Sequence, residues 1–214
     1  MTQAELLKDL EKGKVLPVYL FCGTEKYLME EALKKVESAV VEPATKCFNF
    51  SLFQGSETSA EVIIDAAQSV PMMAKKRLIV VKDADKLSSA ETERLGRYLK
   101  NPSPSTCLIL TAEKIDMRKG FFQSLKECTV QFDPVYENQL PQWIKREVES
   151  NGKKITPDAA QYLVEVVGSD LLRLRSELEK AALYAGDDKE ISLKDVEAVS
   201  TRSKLKTIFE LTDA

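Results

Sequence analysis

Gly23-Thr24-Glu25-Lys26 follows an apolar run and precedes a helical pattern, a setting in which a chain can cradle phosphate. That chemistry needs G-x-x-x-x-G-K-[ST], with glycines so that backbone amides face the phosphates and a lysine to neutralise them. Here the turn reads Gly23-Thr-Glu-Lys-Tyr-Leu-Met-Glu30. It lacks the second glycine and the Lys-Ser/Thr pair, while Glu25 and Glu30 add negative charge. Lys26 alone does not replace what is missing. The metal-holding partner of such a loop is an apolar strand running directly into Asp-Glu. Val81 instead runs into Lys82-Asp83-Ala84-Asp85, with no glutamate beside the aspartate to orient water. Gly23, Thr24 and Lys26 therefore read as a degenerate phosphate loop on which ATP is not expected. A divergent active ATPase is the competing reading.

Other catalytic chemistry fares worse. There is no G-x-S-x-G elbow, and the chain contains no histidine to act as base. Asp83 with Asp85, and Asp187 with Asp188, are carboxylate pairs of the kind that solvated loops carry. Cys22, Cys47, Cys107 and Cys128 each lie within or beside an apolar run, none at C-x-x-C spacing. That pattern argues for small buried hydrophobes and against zinc or Cys–His catalysis. Neither a metal nor a cofactor is expected.

One further stretch bears on function, Gln68-Ser-Val-Pro-Met-Met73. Pro71 has no amide hydrogen and biases Val70 away from the helix, so the chain must turn here. A turn carrying Met72 and Met73 is either a plug for the core or an adhesive tip. Methionine is flexible and polarizable, which suits it to a pocket on a partner.

These residues must be positioned by the rest of the chain. Its 214 residues allow one or two domains, and 43% hydrophobic with 30% charged residues is a globular balance. A net charge of −3 offers no broad attraction to nucleic acid. No apolar run approaches the ~20 residues that span a bilayer. The start, MTQAELLKDLEKGK, has no apolar signal core, so a cytoplasmic location is expected.

Leu6, Leu7 and Leu10 predict a short opening helix ended by Gly13, and Leu16 to Cys22 a first buried strand. Leu28, Ala32, Leu33, Val36 and Val40 repeat at helical spacing, with Thr24 as the expected N-cap and Glu25 at the positive end of the dipole. Lys46 to Phe53 reads as a second strand, and Val62, Ile63, Ala66 and Ala67 as one face of a helix. Leu78 to Val81 reads as a strand covered on both faces. Ser88 and Glu91 predict a capping box before a helix with Leu95 and Leu99. Thr106 to Thr111 and Cys128 to Phe132 complete five strands, with Asp116 expected to cap a short helix between them. Strands alternating with helices imply a parallel sheet.

After Asp133-Pro134 no strand-like run appears again. Helices are expected from Pro141 to Gly152, from Thr156-Pro157 to Gly168, along Leu171, Leu174, Leu178, Ala181 and Ala185, and from Ser192 through Val196 and Val199. The expected organisation is an α/β domain over 1–135, a small helical lid over 136–203, and a helix-like start of a linker over 204–214. Ile208, Phe209 and Leu211 in that last run have nothing left to cover them, so continuation into another domain is expected.

In order and spacing, LPVYLFCGTEKYLMEEAL, RLIVVKDADKL, YLKNPSPSTCLIL, DMRKGFF, GSDLLRLRSELEKAALY and IFELTDA resemble the delta subunit of the bacterial DNA polymerase III clamp loader. The resemblance covers the first two of that family's three domains and omits its oligomerisation collar. It implies a RecA/AAA+-like five-stranded sheet followed by an all-α lid. It also implies a subunit that does not use ATP but binds the sliding clamp (beta) and opens the ring for loading onto primed DNA. Delta prime and gamma/tau are the implied companions in a hetero-pentamer. A sister subunit such as delta prime is the alternative, but neither a Ser-Arg-Cys finger nor a four-cysteine zinc module occurs here. The family's clamp-binding element is similar to Gln68-Ser-Val-Pro-Met-Met73, which places Gln68 at its polar anchor, Pro71 in its turn and Met72 with Met73 as its hydrophobic pair. The family more often has Leu-Leu or Leu-Phe there. Lys75, Lys76 and Arg77 could meet acidic groups of the clamp or DNA phosphates, and Arg118 with Lys119 could meet DNA; solvated surface charge is the bland alternative. Arg173 and Arg175 lie where active relatives carry a nucleotide-sensing arginine, and with no phosphate site opposite they read as surface ion pairs.

Overall fold

The computed structural model describes residues 1–200; the helix expected over 204–214 lies outside the described residues. The chain divides into two compact units, one ending at Pro134 and the other beginning at Val135. In the first, α1 (Gln3–Glu11), β1 (Val18–Cys22) and α2 (Lys26–Val40) are followed by a one-turn α3 (Lys46–Asn49) and β2 (Phe50–Gln54). Next come α4 (Ala60–Gln68), β3 (Arg77–Lys82), α5 (Ser89–Tyr98), β4 (Thr106–Ala112), α6 (Gly120–Ser124) and β5 (Thr129–Gln131). The strands form one parallel sheet in the order β2-β3-β4-β1-β5. One rung runs Leu52, Val80, Ile109, Tyr19. Because the chain leaves β1 toward one edge and returns past it to β5, the crevice at the carboxyl end of β1 is a topological switch point.

Successive strand residues point to opposite faces, so each strand feeds two cores. Val18, Leu20, Ile79, Val81, Leu108 and Leu110 pack with Ile63 of α4, Leu95 of α5 and Phe122 of α6. Tyr19, Phe21, Leu78, Val80, Cys107 and Ile109 pack with Leu6 of α1 and with Leu33 and Val36 of α2. The unbroken apolar run Leu78–Val81 is thus a strand buried on both sides, as its composition predicts.

Two titratable groups lie inside the second core. Burial pushes the Cys107 thiol from 9.0 up to about 12. It pushes the Tyr19 phenol from 10.0 up to about 12, against the opposing effect of its hydrogen bond from the Leu16 N–H. As pH rises, the unfolded chain therefore releases these protons before the folded chain does, and stability must fall. Unfolding free energy measured in urea from pH 7 to 11 should be flat below about 9 on this account and decline above it. Cys107→Val should reduce the earliest part of the decline, to which the thiols of Cys22 and Cys128, also raised by burial, contribute as well; an unchanged profile would show that the Cys107 thiol is not desolvated.

Several local expectations need correction. Lys46–Asn49 is helical and the strand begins only at Phe50, because a short apolar run does not by itself distinguish strand from helix. The cap of α2 is Glu25, not Thr24: its carboxylate accepts from the Tyr27 N–H at 3.2 Å. Ser88 caps α5, accepting from the Glu91 N–H, but Glu91 does not close the box. Its carboxylate instead accepts from the Ala60 N–H, an otherwise orphaned donor in the first turn of α4. Asp116 does not cap α6, which has Lys119 at that position; it forms a two-pronged pair with Arg118.

The second unit contains α7 (Leu140–Ser150), β6 (Lys154–Ile155), α8 (Pro157–Val167), α9 (Leu171–Tyr184) and β7 (Glu190–Ile191), with residues 193–200 again helical. The expectation of no further strand is overturned by β6 and β7, which pair in parallel. Two residues each are too short to leave a periodic trace. Leu171, Leu174, Leu178 and Ala181 of α9 are buried as one stripe, with Leu140, Ile144 and Val148 of α7 also buried. Gly168 ends α8 at φ +79°, and Pro157 opens it. Arg175 is held by Glu147 at 3.0 Å and Glu179 at 2.8 Å.

Candidate functional site

The segment after α4 is built to be held at its base and bare at its point. Helix α4 stops at Gln68 because Val70, ahead of Pro71, is disfavoured from helical backbone. Its last turn leaves carbonyls without helical partners. The buried Thr106 hydroxyl donates to the Ala67 carbonyl at 2.7 Å, and the Ser69 N–H and hydroxyl both donate to the Asp65 carbonyl. Arg77 approaches the Ser69 carbonyl with Nη1 at 3.5 Å, placing a cation at the negative end of the helix.

Beyond this base the chain turns outward. Val70 is 84% exposed, Met72 52% and Met73 83%. These values decide between plug and tip: the two methionines are not core. Met73 has φ +54°, a left-handed backbone that a methionine adopts at a cost of about 1–2 kcal/mol. Gln68 is exposed at the end of α4 and Pro71 half-buried at the bend. The loop lies at the amino end of β3, since it runs directly into Arg77.

Sequence reasoning missed Asn49, which is fully buried at the end of α3. Its Nδ2 donates to the Met72 carbonyl at 2.8 Å and to the Thr45 carbonyl at 3.2 Å, and its Oδ1 accepts from the Met72 N–H at 2.8 Å. The side-chain amide thus pairs with the Met72 peptide as a neighbouring strand would. The one signal that could have flagged it is a lone Asn in an otherwise apolar run, since a buried carboxamide must find partners.

At the opposite, carboxyl end of the sheet lies the Gly23 loop, in the switch-point crevice. Three of its amides face its own chain. The Gly23 N–H donates to the Ala112 carbonyl at 3.1 Å, the Glu25 N–H to the Phe132 carbonyl at 3.0 Å and the Lys26 N–H to the Thr24 carbonyl at 3.0 Å. The Glu25 carboxylate already sits on the first turn of α2, where a phosphate would be held. Gly23 itself is needed for a different closeness: a Cβ there would lie 2.1 Å from the Phe132 carbonyl oxygen. Thr24 and Lys26 are exposed. Nearby, Lys82 is engaged by Glu30 at 2.5 Å and Lys86 by Asp83 at 2.7 Å. Among the described residues no group of three or more potential ligands could hold a metal ion.

The basic residues separate. Lys75 is exposed and Lys76 half-buried, its Nζ 3.4 Å from the Val15 carbonyl. Arg77 is only 8% exposed, and burial lowers its pKa. It supports the loop from beneath, which corrects the expectation of three surface charges in a row. Arg118 and Lys119 are exposed on the segment leaving β4, with Arg118 already paired to Asp116.

A five-stranded parallel sheet with helices on both faces, followed by a helical unit, places this chain in the AAA+ class of folds. A mutant form of RuvB from Thermotoga maritima shares that fold at TM-score 0.56 and 13% identity, over 92% of this chain and 65% of its own. A more specific assignment comes from sequence: residues 19–133 match the family described as DNA polymerase III, delta subunit. The chain belongs to that family. It is 32% identical to the DNA polymerase III subunit delta of Bacillus subtilis (strain 168), over 97% of this chain and 63% of the relative. The solved Bacillus subtilis DNA clamp loader delta protein (YqeN) superposes at TM-score 0.77 with 30% identity, covering 92% of this chain and 61% of its own. The chain thus spans somewhat over three-fifths of the length of these relatives.

Proposed function

We propose that this chain is the clamp-binding part of a clamp-loader delta subunit, and that Gln68, Pro71, Met72 and Met73 are the contact with the DNA sliding clamp. The observation that carries the reading is the exposure of Met72 and Met73 on a loop whose base is fixed by buried hydrogen bonds. Two thioether side chains entering an apolar pocket supply the affinity, and Gln68 at the end of α4 supplies a polar anchor. In this reading the exposed Lys75 meets acidic groups of the clamp.

Burying the exposed parts of the two methionines contributes about 2–4 kcal/mol before ordering costs. That grips a clamp without alone breaking a large ring interface. The tip therefore favours a clamp conformation whose interface is already strained, and ring opening follows as a shift of an existing equilibrium. Within the family's assembly the companions are delta prime and gamma/tau, acting in the cytoplasm on primed DNA, with ATP used by sister subunits. The engaged amides of the Gly23 loop support a scaffold role here, and they weigh against the divergent-ATPase reading.

The test is a titration of the 214-residue chain against the sliding clamp of its own organism. Saturable binding competed by a peptide spanning residues 66–75 is the expected result; a flat response would end the proposal. A parallel titration with a fluorescent ATP analogue should show no saturation at micromolar concentration. Saturable nucleotide binding lost in Lys26→Ala would favour the ATPase instead.

A further inference from the structure

We propose that Asn49 is a positioning residue for the tip: its buried carboxamide holds the Met72 peptide so that Met72 and Met73 stay presented in a binding-competent form. The inference rests on the reading of the tip as the clamp contact. Asn49 touches nothing that a partner would touch. It is fully buried, and both its N–H groups and its oxygen are engaged, two of these three bonds with the backbone of a residue 23 positions away. The pairing also fixes which end of the amide is which, since only the nitrogen can face the Met72 carbonyl and only the oxygen the Met72 N–H.

What the clasp secures is visible in the next residue. Met73 enters the left-handed region at φ +54°, a conformation an isolated methionine avoids, and persists there only where the surroundings over-determine it. The surroundings on its N-terminal side are the Asn49 bonds. On the other side the chain is taken up by β3 at Arg77. With the clasp cut, the eight residues between α4 and β3 are tethered only at their ends, and the presented form becomes one of many. A binding site populated for a fraction of the time binds with its affinity reduced by that fraction.

The test compares Asn49→Ala and Asn49→Asp with the unaltered chain, measuring clamp association and dissociation rates and amide exchange at Met72. Asn49→Ala should weaken binding roughly tenfold, mainly through slower productive association, if the competent form drops to about a tenth of molecules. Its affinity should move toward that of the free 66–75 peptide, and exchange at the Met72 N–H should accelerate while that of β3 does not. A loss of general stability alone would accelerate exchange in β3 as well and leave affinity unchanged in a chain that remains folded. Asn49→Asp keeps the acceptor for the Met72 N–H and loses the donor to its carbonyl. Its buried carboxylate would face the Met72 and Thr45 carbonyls, so it should show the same changes at least as strongly; Asn49→Ser, which buries no charge, serves if either variant does not fold. Unchanged affinity and unchanged Met72 exchange in the folded variants would overturn the inference. If Met72→Ala with Met73→Ala loses binding while the Asn49 variants bind normally, only the positioning role fails. If the methionine variant also binds normally, the tip reading itself is wrong.

Discussion

Replacing Met72 and Met73 together by alanine should weaken clamp binding roughly 30- to 1000-fold and leave the fold intact. The fold survives because neither side chain belongs to either core, and exposed substitutions of this kind shift stability by about 0.5 kcal/mol or less. Binding weakens for reasons of area. Met73 is 83% exposed and has nearly its whole transfer free energy still to gain on entering a pocket, about 1.5–3 kcal/mol, while Met72 at 52% has about half of its own. Together the loss is about 2–4 kcal/mol, or roughly 30- to 1000-fold in Kd. The check is a clamp titration beside a thermal melt. Unchanged affinity would remove the site assignment, and a collapsed melt would show that the methionines support the fold after all.

Gly23→Ala should be more damaging than alanine at any other glycine of the first unit. The added methyl group would meet the Phe132 carbonyl oxygen at 2.1 Å and its carbon at 2.5 Å, both backbone atoms that cannot rotate away. Gly23 also has φ +145°, which side-chain-bearing residues rarely adopt. Relief would require pulling Phe132 off the loop, breaking the Phe132 N–H to Cys22 carbonyl bond at 2.7 Å and the Glu25 N–H to Phe132 carbonyl bond at 3.0 Å. A cost above ~4 kcal/mol is expected, against a total stability of ~5–15 kcal/mol for a domain. Gly13→Ala is the control, since φ is +70° there but nothing lies within 4 Å of the added carbon; it should cost about 1 kcal/mol. Urea unfolding of both variants measures the difference. A Gly23→Ala chain as stable as the control would mean that the loop is loose enough to open toward a phosphate.

The sheet was legible because its strands are buried on both faces and so write themselves as continuous apolar runs such as Leu78–Val81. The tip was legible because Pro71 breaks α4 and leaves two methionines in a turn. What supports the tip was not. Asn49 acts through a peptide 23 residues away, and Glu91 serves the first turn of α4 rather than its own helix. Such bonds depend on which elements become neighbours, and a periodic pattern along one element carries no record of that. Arg77 was misplaced for the same reason: beside two lysines it reads as surface, but the strand's alternation turns it beneath the loop. The pair β6 and β7 went unseen because two residues cannot show a period.

The methionine tip sits at the amino ends of the strands and the Gly23 crevice at their carboxyl ends. A six-residue strand such as β3 separates them by about 20 Å. A large ring docked on one rim therefore leaves the other rim uncovered. The two rims are opposite ends of one hydrogen-bonded sheet, so a body held at the methionine rim need not compete for space with anything at the other.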